Sequence, residues 1–246
     1  MDNIYQVTFP LSDFEADCNG RLKLSTLLYF AQEAAGRHCV QLHADMNVLA
    51  EKNLFWAVTR HKVVIHRLPE QGETVTLHTW PMPTTRVAYP RSFAGYDETG
   101  ELLFQGISIW VLMDITTRKM VLPGKSGIAV EGTLQGWELE TPHSIMPKDR
   151  ENSAMRTVTY SCLDRNGHMN NTRYLDWVND LLPSHFHAAH RPTEFVICYF
   201  SEGRETQEIC LDWSLTEDNC LHVDAHRDPD ENQPRPISVF SAQVRF

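Results

Sequence analysis

The 246-residue chain sets 22 Lys and Arg against 32 Asp and Glu, a net charge of −10, with 42% apolar and 22% charged residues. This is the make-up of a globular protein with enough chain for a sizeable core in one large or two small domains, and its acidity argues against a nucleic-acid-binding surface as its main business. No apolar run approaches ~18 residues, which argues against a helical membrane span, and the opening Met1-Asp2-Asn3-Ile4-Tyr5 has neither the basic nor the apolar region of a leader, so a cytoplasmic location is expected.

In chain order, residues 5–9 read as a strand. Asp17-Cys18-Asn19-Gly20-Arg21-Leu22 reads as a turn, after which Leu24, Leu27, Leu28, Ala31, Ala34 and Ala35 recur at helical spacing. Strand patterns follow at 55–67, 73–80, 86–96 and 102–114, the last two joined by the turn Asp97-Glu98-Thr99-Gly100. Residues 123–153 carry Pro123, Gly124, Gly127, Gly132, Gly136, Pro142 and Pro147, the composition of a crossover linker.

The second half repeats the order. A strand is expected at 156–161, then Asp164-Arg165-Asn166-Gly167-His168-Met169-Asn170-Asn171 restates the Asp-x-Asn-Gly frame with His168 where the first copy has Arg21. Tyr174, Trp177, Val178, Leu181 and Leu182 fit one helical face, and Pro183 ends the helix. Strands are expected at 194–200, 207–215, 221–226 and 237–246. Local echoes support the match: residues 72–80 resemble 204–213, and Ile107-Ser108-Ile109-Trp110 resembles Ile237-Ser238-Val239-Phe240. The expected domains are 1–122, the linker 123–153, and 154–246, each an α+β unit in which one helix lies against an antiparallel sheet.

Six cysteines form no C-x-x-C pair and read as reduced, mostly buried thiols. His185, His187 and His190 read as part of a solvated loop rather than a metal site, so neither a metal nor a cofactor is expected.

The chemistry-bearing residues lie in the second copy. Alternation along a short segment puts Asp164, Asn166 and His168 on one side. His168 suits proton transfer near neutrality, Asn166 offers an amide donor to a developing oxyanion, and Asp164 orients His168, positions water or attacks directly. Against this stands a plain structural reading, in which Asp and Asn are turn and cap residues; Asp17 and Asn19 persist in the copy without histidine. Asn170 and Asn171 read as helix caps that support the site.

The layout and the string Asp164-x-Asn166-x-His168-x-Asn170-Asn171-x-x-Tyr174 together resemble the acyl-acyl-carrier-protein thioesterase family, over essentially the whole chain, and among its members the shorter bacterial ones. The resemblance implies two fused hotdog domains, each a central helix wrapped by a curved antiparallel sheet. It implies hydrolysis of an acyl-carrier-protein thioester, with release of a free fatty acid and an end to chain elongation. Catalytic residues would be Asp164, Asn166, His168 and Glu202; substrate-binding residues would be Asn170 and Asn171, with Leu24, Leu27 and Leu28 lining an acyl tunnel in the degenerate first copy. Plant members carry Glu-Cys-Gly-Arg where this chain has Ser201-Glu202-Gly203-Arg204, so Glu202 takes the cysteine position and Cys198 lies out of register. Arg37, Arg173 and Arg204 are candidates for receiving an acidic carrier protein, and a homodimer is compatible with the layout. An acyl-CoA thioesterase or hydratase of the same fold, and a non-catalytic acyl-thioester sensor, stay open as alternatives, as does the choice between direct hydrolysis and a covalent anhydride.

Overall fold

The computed structural model describes residues 3–145, 150–229 and 234–246, so Met1, Asp2 and the expected linker residue Pro147 lie outside the described residues. The chain divides into two compact units, Met1–Pro142 and His143–Phe246. The first contains β1 (Tyr5–Pro10), α1 (Leu24–Gln41), α2 (Met46–Glu51), β2 (Leu54–Ile65), β3 (Thr74–Pro81), β4 (Tyr89–Tyr96), β5 (Leu102–Asp114), β6 (Met120–Val121) and α3 (Pro123–Ser126). The second contains β7 (Asn152–Thr157), a 3-10 turn (Tyr160–Cys162), α4 (Arg173–Asn179), α5 (Ser184–Ala189), β8 (Glu194–Tyr199), β9 (Glu208–Leu215), β10 (Cys220–Arg227) and β11 (Ile237–Arg245).

The sheets have the same strand order. In the first unit β1-β3-β4-β5-β2 are neighbours, with β6 on the end of β5; in the second, β7-β9-β10-β11-β8. Taken as first to fifth strands of each unit, both read first, third, fourth, fifth, second, with antiparallel pairing between the neighbours. The repeat in the sequence is therefore a repeat of topology.

Helix α1 forms because its Leu and Ala residues make one continuous stripe, and it lies on β1 and β3. Leu24, Leu27, Leu28, Ala31 and Ala34 are all buried there. In the same sheet β4 and β5 are fastened by a reciprocal pair of contacts. Phe93 pairs across strands with Gly106, and Phe104 with Gly95. Each ring occupies the space a Cβ would need at the opposite glycine, which lets two fully buried aromatic rings lie flat on a two-strand ladder.

Residues 128–139 do not span free solvent. Ile128 joins a cluster with Leu49, Leu54, Tyr89 and Leu112. Trp137 packs edge-on to Trp80 at 5.1 Å, and Trp80 Nε1 donates to Glu138 Oε1 at 3.0 Å. This stretch is a strap on the first unit.

Several elements differ from the sequence reading. The strand expected at 156–161 is β7, which starts at Asn152 and ends at Thr157. Its sequence Asn-Ser-Ala-Met-Arg-Thr is a polar edge strand, and the β-prone residues after it leave the sheet into the 3-10 turn. Helix α4 stops at Asn179, short of Pro183, and Pro183 instead opens α5, so the three histidines lie on or beside a helix and not in a loop. His187 and His190 already bond to the carbonyls of Asn179 and Phe186. The echo between 72–80 and 204–213 is displaced: isolated bridges tie Arg21 to Glu70 and His168 to Arg204, which makes Glu70 and Arg204 the equivalent pair.

One buried polar group shapes the first unit. Arg91 is 6% exposed, and its Nη1 donates to His38 Nδ1 at 3.1 Å and to Thr79 Oγ1 at 3.3 Å. A guanidinium only donates, so His38 Nδ1 accepts and its Nε2–H donates to Asn3 Oδ1 at 3.0 Å. Burial, followed by the Arg91 charge, lowers the His38 pKa to about 4, and burial lowers that of His61 to about 3. An unfolded histidine titrates near about 6.5. Both folded values lie below it, so the stability these groups contribute is complete above that pH and is lost as pH falls toward the folded values. The melting temperature should therefore fall between about pH 6.5 and 5, while carboxylates are still largely ionised. His61→Gln should flatten that slope; thermal melting across the window checks it, and an unchanged slope would remove His61 from the acid response.

Candidate active site

The second copy of the Asp-x-Asn-Gly frame is a closed turn. Leu163 bridges Met169, and between them Asp164 N–H donates to His168 O at 2.8 Å and Gly167 N–H to Asp164 O at 3.0 Å. Gly167 sits at φ +75°, a conformation that glycine adopts without steric cost. Asp164 Oδ1 accepts from the N–H of Asn166 at 2.7 Å and of His168 at 3.4 Å, and Asn166 Nδ2 lies 3.4 Å from Oδ2. The alternation expected of an extended segment does not apply to a turn that closes on itself. Asp164 and Asn166 bond to each other and to the turn's own backbone, and His168 engages a different segment.

That segment is 201–204. His168 bridges Arg204, and Met169 N–H donates to Gly203 O at 2.8 Å. The main-chain stitch brings Glu202 to the imidazole, with His168 Nε2 3.2 Å from Glu202 Oε2. The two side chains are 18% and 36% exposed, enough for a substrate to reach them. Ser201 points elsewhere: its hydroxyl donates to Ser238 O at 2.8 Å. Cys198 is buried in β8. Asn170 Oδ1 accepts from the N–H and hydroxyl of Thr172 at 2.9 and 2.8 Å, and Asn171 O accepts from Tyr199 Oη at 2.9 Å. The N-cap of α4 is Thr172, without a side-chain capping bond, so the two asparagines expected as caps instead brace the segment before the helix. Leu24, Leu27 and Leu28 are core residues of α1 in the first unit.

Tyr174 reads from the sequence as core alone, but it also supports the site. Its ring packs against Phe240 and Tyr199, while its hydroxyl accepts the Gly203 N–H at 3.1 Å. Burial drives its pKa up to about 12; the Gly203 N–H opposes the shift and Glu202 and Asp164 add to it, so the phenol stays protonated. A Cβ at Gly203 would stand 3.0 Å from that hydroxyl, closer than a side chain is normally accommodated. The sequence signal was a tyrosine on an apolar helix face, whose polar tip needs a partner when buried.

The first copy shows which of these features belong to the scaffold. Asp17 N–H donates to Arg21 O at 2.7 Å, and Asp17 Oδ1 accepts from the N–H of Asn19 at 2.8 Å and of Arg21 at 3.0 Å. Gly20 sits at φ +76°, and Leu22 N–H donates to Pro69 O at 2.9 Å. The two turns are the same object. Bridge partners equate Arg21 with His168 and Glu70 with Arg204, and hence Leu68 with Glu202. Among the described residues, the imidazole–carboxylate contact belongs to the second copy of the turn.

A carboxylate hydrogen-bonded to one imidazole nitrogen leaves the other free to exchange protons, the arrangement used to activate water or a nucleophile. Comparison with known proteins gives the family. A family model described as the acyl-ACP thioesterase N-terminal domain matches residues 2–122, and one described as its C-terminal domain matches 145–237. A palmitoyl-acyl carrier protein thioesterase of Gossypium hirsutum is 25% identical over 223 residues, covering 82% of this chain and 53% of the relative. A dodecanoyl-[acyl-carrier-protein] hydrolase of Cinnamomum camphora is 24% identical over 214 residues, 81% of this chain and 56% of the relative. The chain spans about half the length of the curated relatives it matches. Among solved structures, an acyl-ACP thioesterase of Bacteroides thetaiotaomicron superposes with a TM-score of 0.88 at 26% identity, covering 100% of this chain and 98% of that one. The 12:0-ACP thioesterase of Umbellularia californica superposes at 0.82 with 20% identity, over 100% and 97% of the two chains, a likeness of fold. The α+β hotdog architecture expected from the sequence is that of these structures.

Removing the Tyr174 hydroxyl isolates its part in holding the 201–204 segment. Tyr174→Phe leaves the buried Gly203 N–H without its acceptor, which should cost about 1–3 kcal/mol of stability and lower turnover more than substrate affinity. Denaturant melting with steady-state kinetics checks this; unchanged kcat would confine Tyr174 to the core.

Proposed function

Because the chain belongs to the acyl-ACP thioesterase family, we propose that it hydrolyses the thioester of acyl-acyl carrier protein, releasing a free fatty acid and ending chain elongation. The observation that carries this reading is the 3.2 Å contact between His168 and Glu202, present in one of two otherwise equivalent turns.

In the mechanism we favour, His168 Nε2–H donates to Glu202 and Nδ1 takes a proton from water. The hydroxide adds to the thioester carbonyl, the tetrahedral oxyanion collapses, the C–S bond breaks, and the imidazolium returns the proton to the departing thiolate. Glu202 stabilises the imidazolium. Asp164 holds the turn and adds negative charge to it, and the Asn166 amide is the donor nearest to hand for the oxyanion once it swings from Asp164. Direct hydrolysis is preferred to an anhydride because the Asp164 carboxylate is tied to its own turn, with Oδ1 accepting from the main-chain N–H of Asn166 and of His168. Asn170 and Asn171 support substrate binding by fixing the entrance to α4. The first unit, with Leu24, Leu27 and Leu28, is assigned to the acyl chain. Arg173 and Arg204, near the turn in sequence or by main-chain bonding, are assigned to the acidic carrier, and the compartment is taken as the cytoplasm.

His168→Ala and Glu202→Gln should each lower turnover by roughly 10²–10⁴ while melting stays close to the parent. Cys198→Ala should remain active. An assay against acyl-carrier-protein and acyl-CoA panels decides the carrier: preference for CoA would overturn the substrate assignment, and binding without turnover would make the chain a sensor.

The two aspartates give an internal control. Asp17→Asn and Asp164→Asn both keep an oxygen acceptor for their turns, so their stability losses should match. Only Asp164→Asn removes charge from the turn that carries the histidine, and turnover should fall by about tenfold or more. Equal loss of rate in both variants would mean that both copies take part in the chemistry.

A further inference from the structure

Strand alternation sorts β9 into two faces. Ile209 and Leu211 are fully buried, so Cys210 and Asp212 point to the opposite, half-exposed face. On the adjacent strand His226 pairs directly with Cys210, and Asp224 with Asp212. His226 stands where the β10–β11 register shifts, an irregularity of the kind that re-aims a side chain. Three different ligand types thus converge. Cys210 Sγ lies 3.6 Å from Asp212 Oδ1, His226 Nδ1 lies 3.3 Å from Asp212 Oδ2, and one ligand atom from each lies within 4.8 Å of the other two.

The two shorter separations, each to a different oxygen of Asp212, have the length of the edges of a coordination sphere. With metal–ligand bonds of about 2.0–2.3 Å, tetrahedral ligands stand roughly 3.3–3.7 Å apart. Neighbouring groups are arranged as supports. Ser153 on β7 donates to Asp212 Oδ1 at 2.5 Å, the type of outer hydrogen bond that orients a ligating carboxylate. Asp224 is occupied instead: Arg150 reaches its Oδ2 at 2.7 and 2.8 Å and Ser241 its Oδ1 at 2.6 Å. Its charge is therefore already balanced, and Asp212 is the carboxylate left to the cluster.

We propose that Cys210, Asp212 and His226 form a binding site for a late first-row divalent transition ion, zinc(II) foremost, clipping β9 to β10 on the face away from the core. Mixed sulfur, nitrogen and oxygen donors select such an ion over magnesium or calcium. No C-x-x-C spacing announces it, because the third ligand comes from the neighbouring strand; the sequence expectation of no metal rested on the lack of a C-x-x-C pair and on reading His185, His187 and His190 as a solvated loop. Bound to the folded form alone, the ion stabilises the second unit by mass action.

The test is titration of the purified full chain with Co²⁺, followed by electronic absorption, then displacement by Zn²⁺. The expected result is a thiolate-to-cobalt charge-transfer band with the strong visible bands of a tetrahedral ion, abolished by Zn²⁺ and by Cys210→Ser, and lost or shifted in His226→Gln. Ser153→Ala should weaken Co²⁺ binding by about tenfold or more. Zn²⁺ should raise the parent's melting temperature and leave that of Cys210→Ser unmoved. Circular dichroism and retained thioester hydrolysis certify the variants as folded. No charge-transfer band in the parent, or the same band in Cys210→Ser, would overturn the proposal. A double substitution of His185 and His190 by Gln should leave the band intact, and its loss there would also overturn the assignment.

Discussion

The arrangement of the second unit depends on a short main-chain stitch, the bridge between His168 and Arg204 with the Met169 N–H to Gly203 O bond. A five-residue turn cannot by itself present a histidine to a carboxylate with any precision. Sewn to the 201–204 segment, it brings the Glu202 main chain close enough for its carboxylate to meet His168. The stitch is in turn held from beneath by Tyr174, whose ring belongs to the core and whose hydroxyl accepts from Gly203. Core packing and site geometry thus meet at one residue, and Gly203 is small because the phenol comes close.

The same stitch exists in the first unit with different side chains. Arg21 and Leu68 stand where His168 and Glu202 stand, while the aspartate, the left-handed glycine and the main-chain bonds are retained. The turn residues are thus shared by both units for structural reasons, and the imidazole–carboxylate pair differs from the first copy at two positions. The units diverge most in the helix that follows. Helix α1 runs from Leu24 to Gln41 as a long Leu and Ala stripe, whereas α4 stops at Asn179 and Pro183 opens a second short helix. The long apolar helix is buried as the core of the first unit, whereas the short one follows directly on the turn that carries His168.

Much of this was legible from the residues. Leu102–Asp114 has the bounds its hydrophobic pattern gives it, and the helical spacing of Leu24 to Ala35 marks α1 correctly. The turn at Asp164 was legible as a turn, because Asp-x-Asn-Gly has a local mechanism. What failed was alternation inside it, since a five-residue turn with a left-handed glycine does not obey a period of two. The edge strand β7 was misplaced because its polar residues carry no burial pattern. The pairing of His168 with Glu202 was not readable from spacing; it depends on a bridge between segments distant in sequence, and family resemblance supplied Glu202. For the same reason the Cys210, Asp212 and His226 cluster and the Arg91–His38 contact became visible only with the strand register.

The claim that His168 and Glu202 act as one proton-transfer unit is tested most directly by a double-mutant cycle on turnover, with His168→Gln, Glu202→Gln and the double variant assayed under saturating acyl-acyl carrier protein. Residues that act as a unit are strongly non-additive. The double variant should therefore be about as slow as the slower single variant. Multiplication of the two losses in the double variant would show that the residues contribute independently, and would contradict the assignment of a coupled pair.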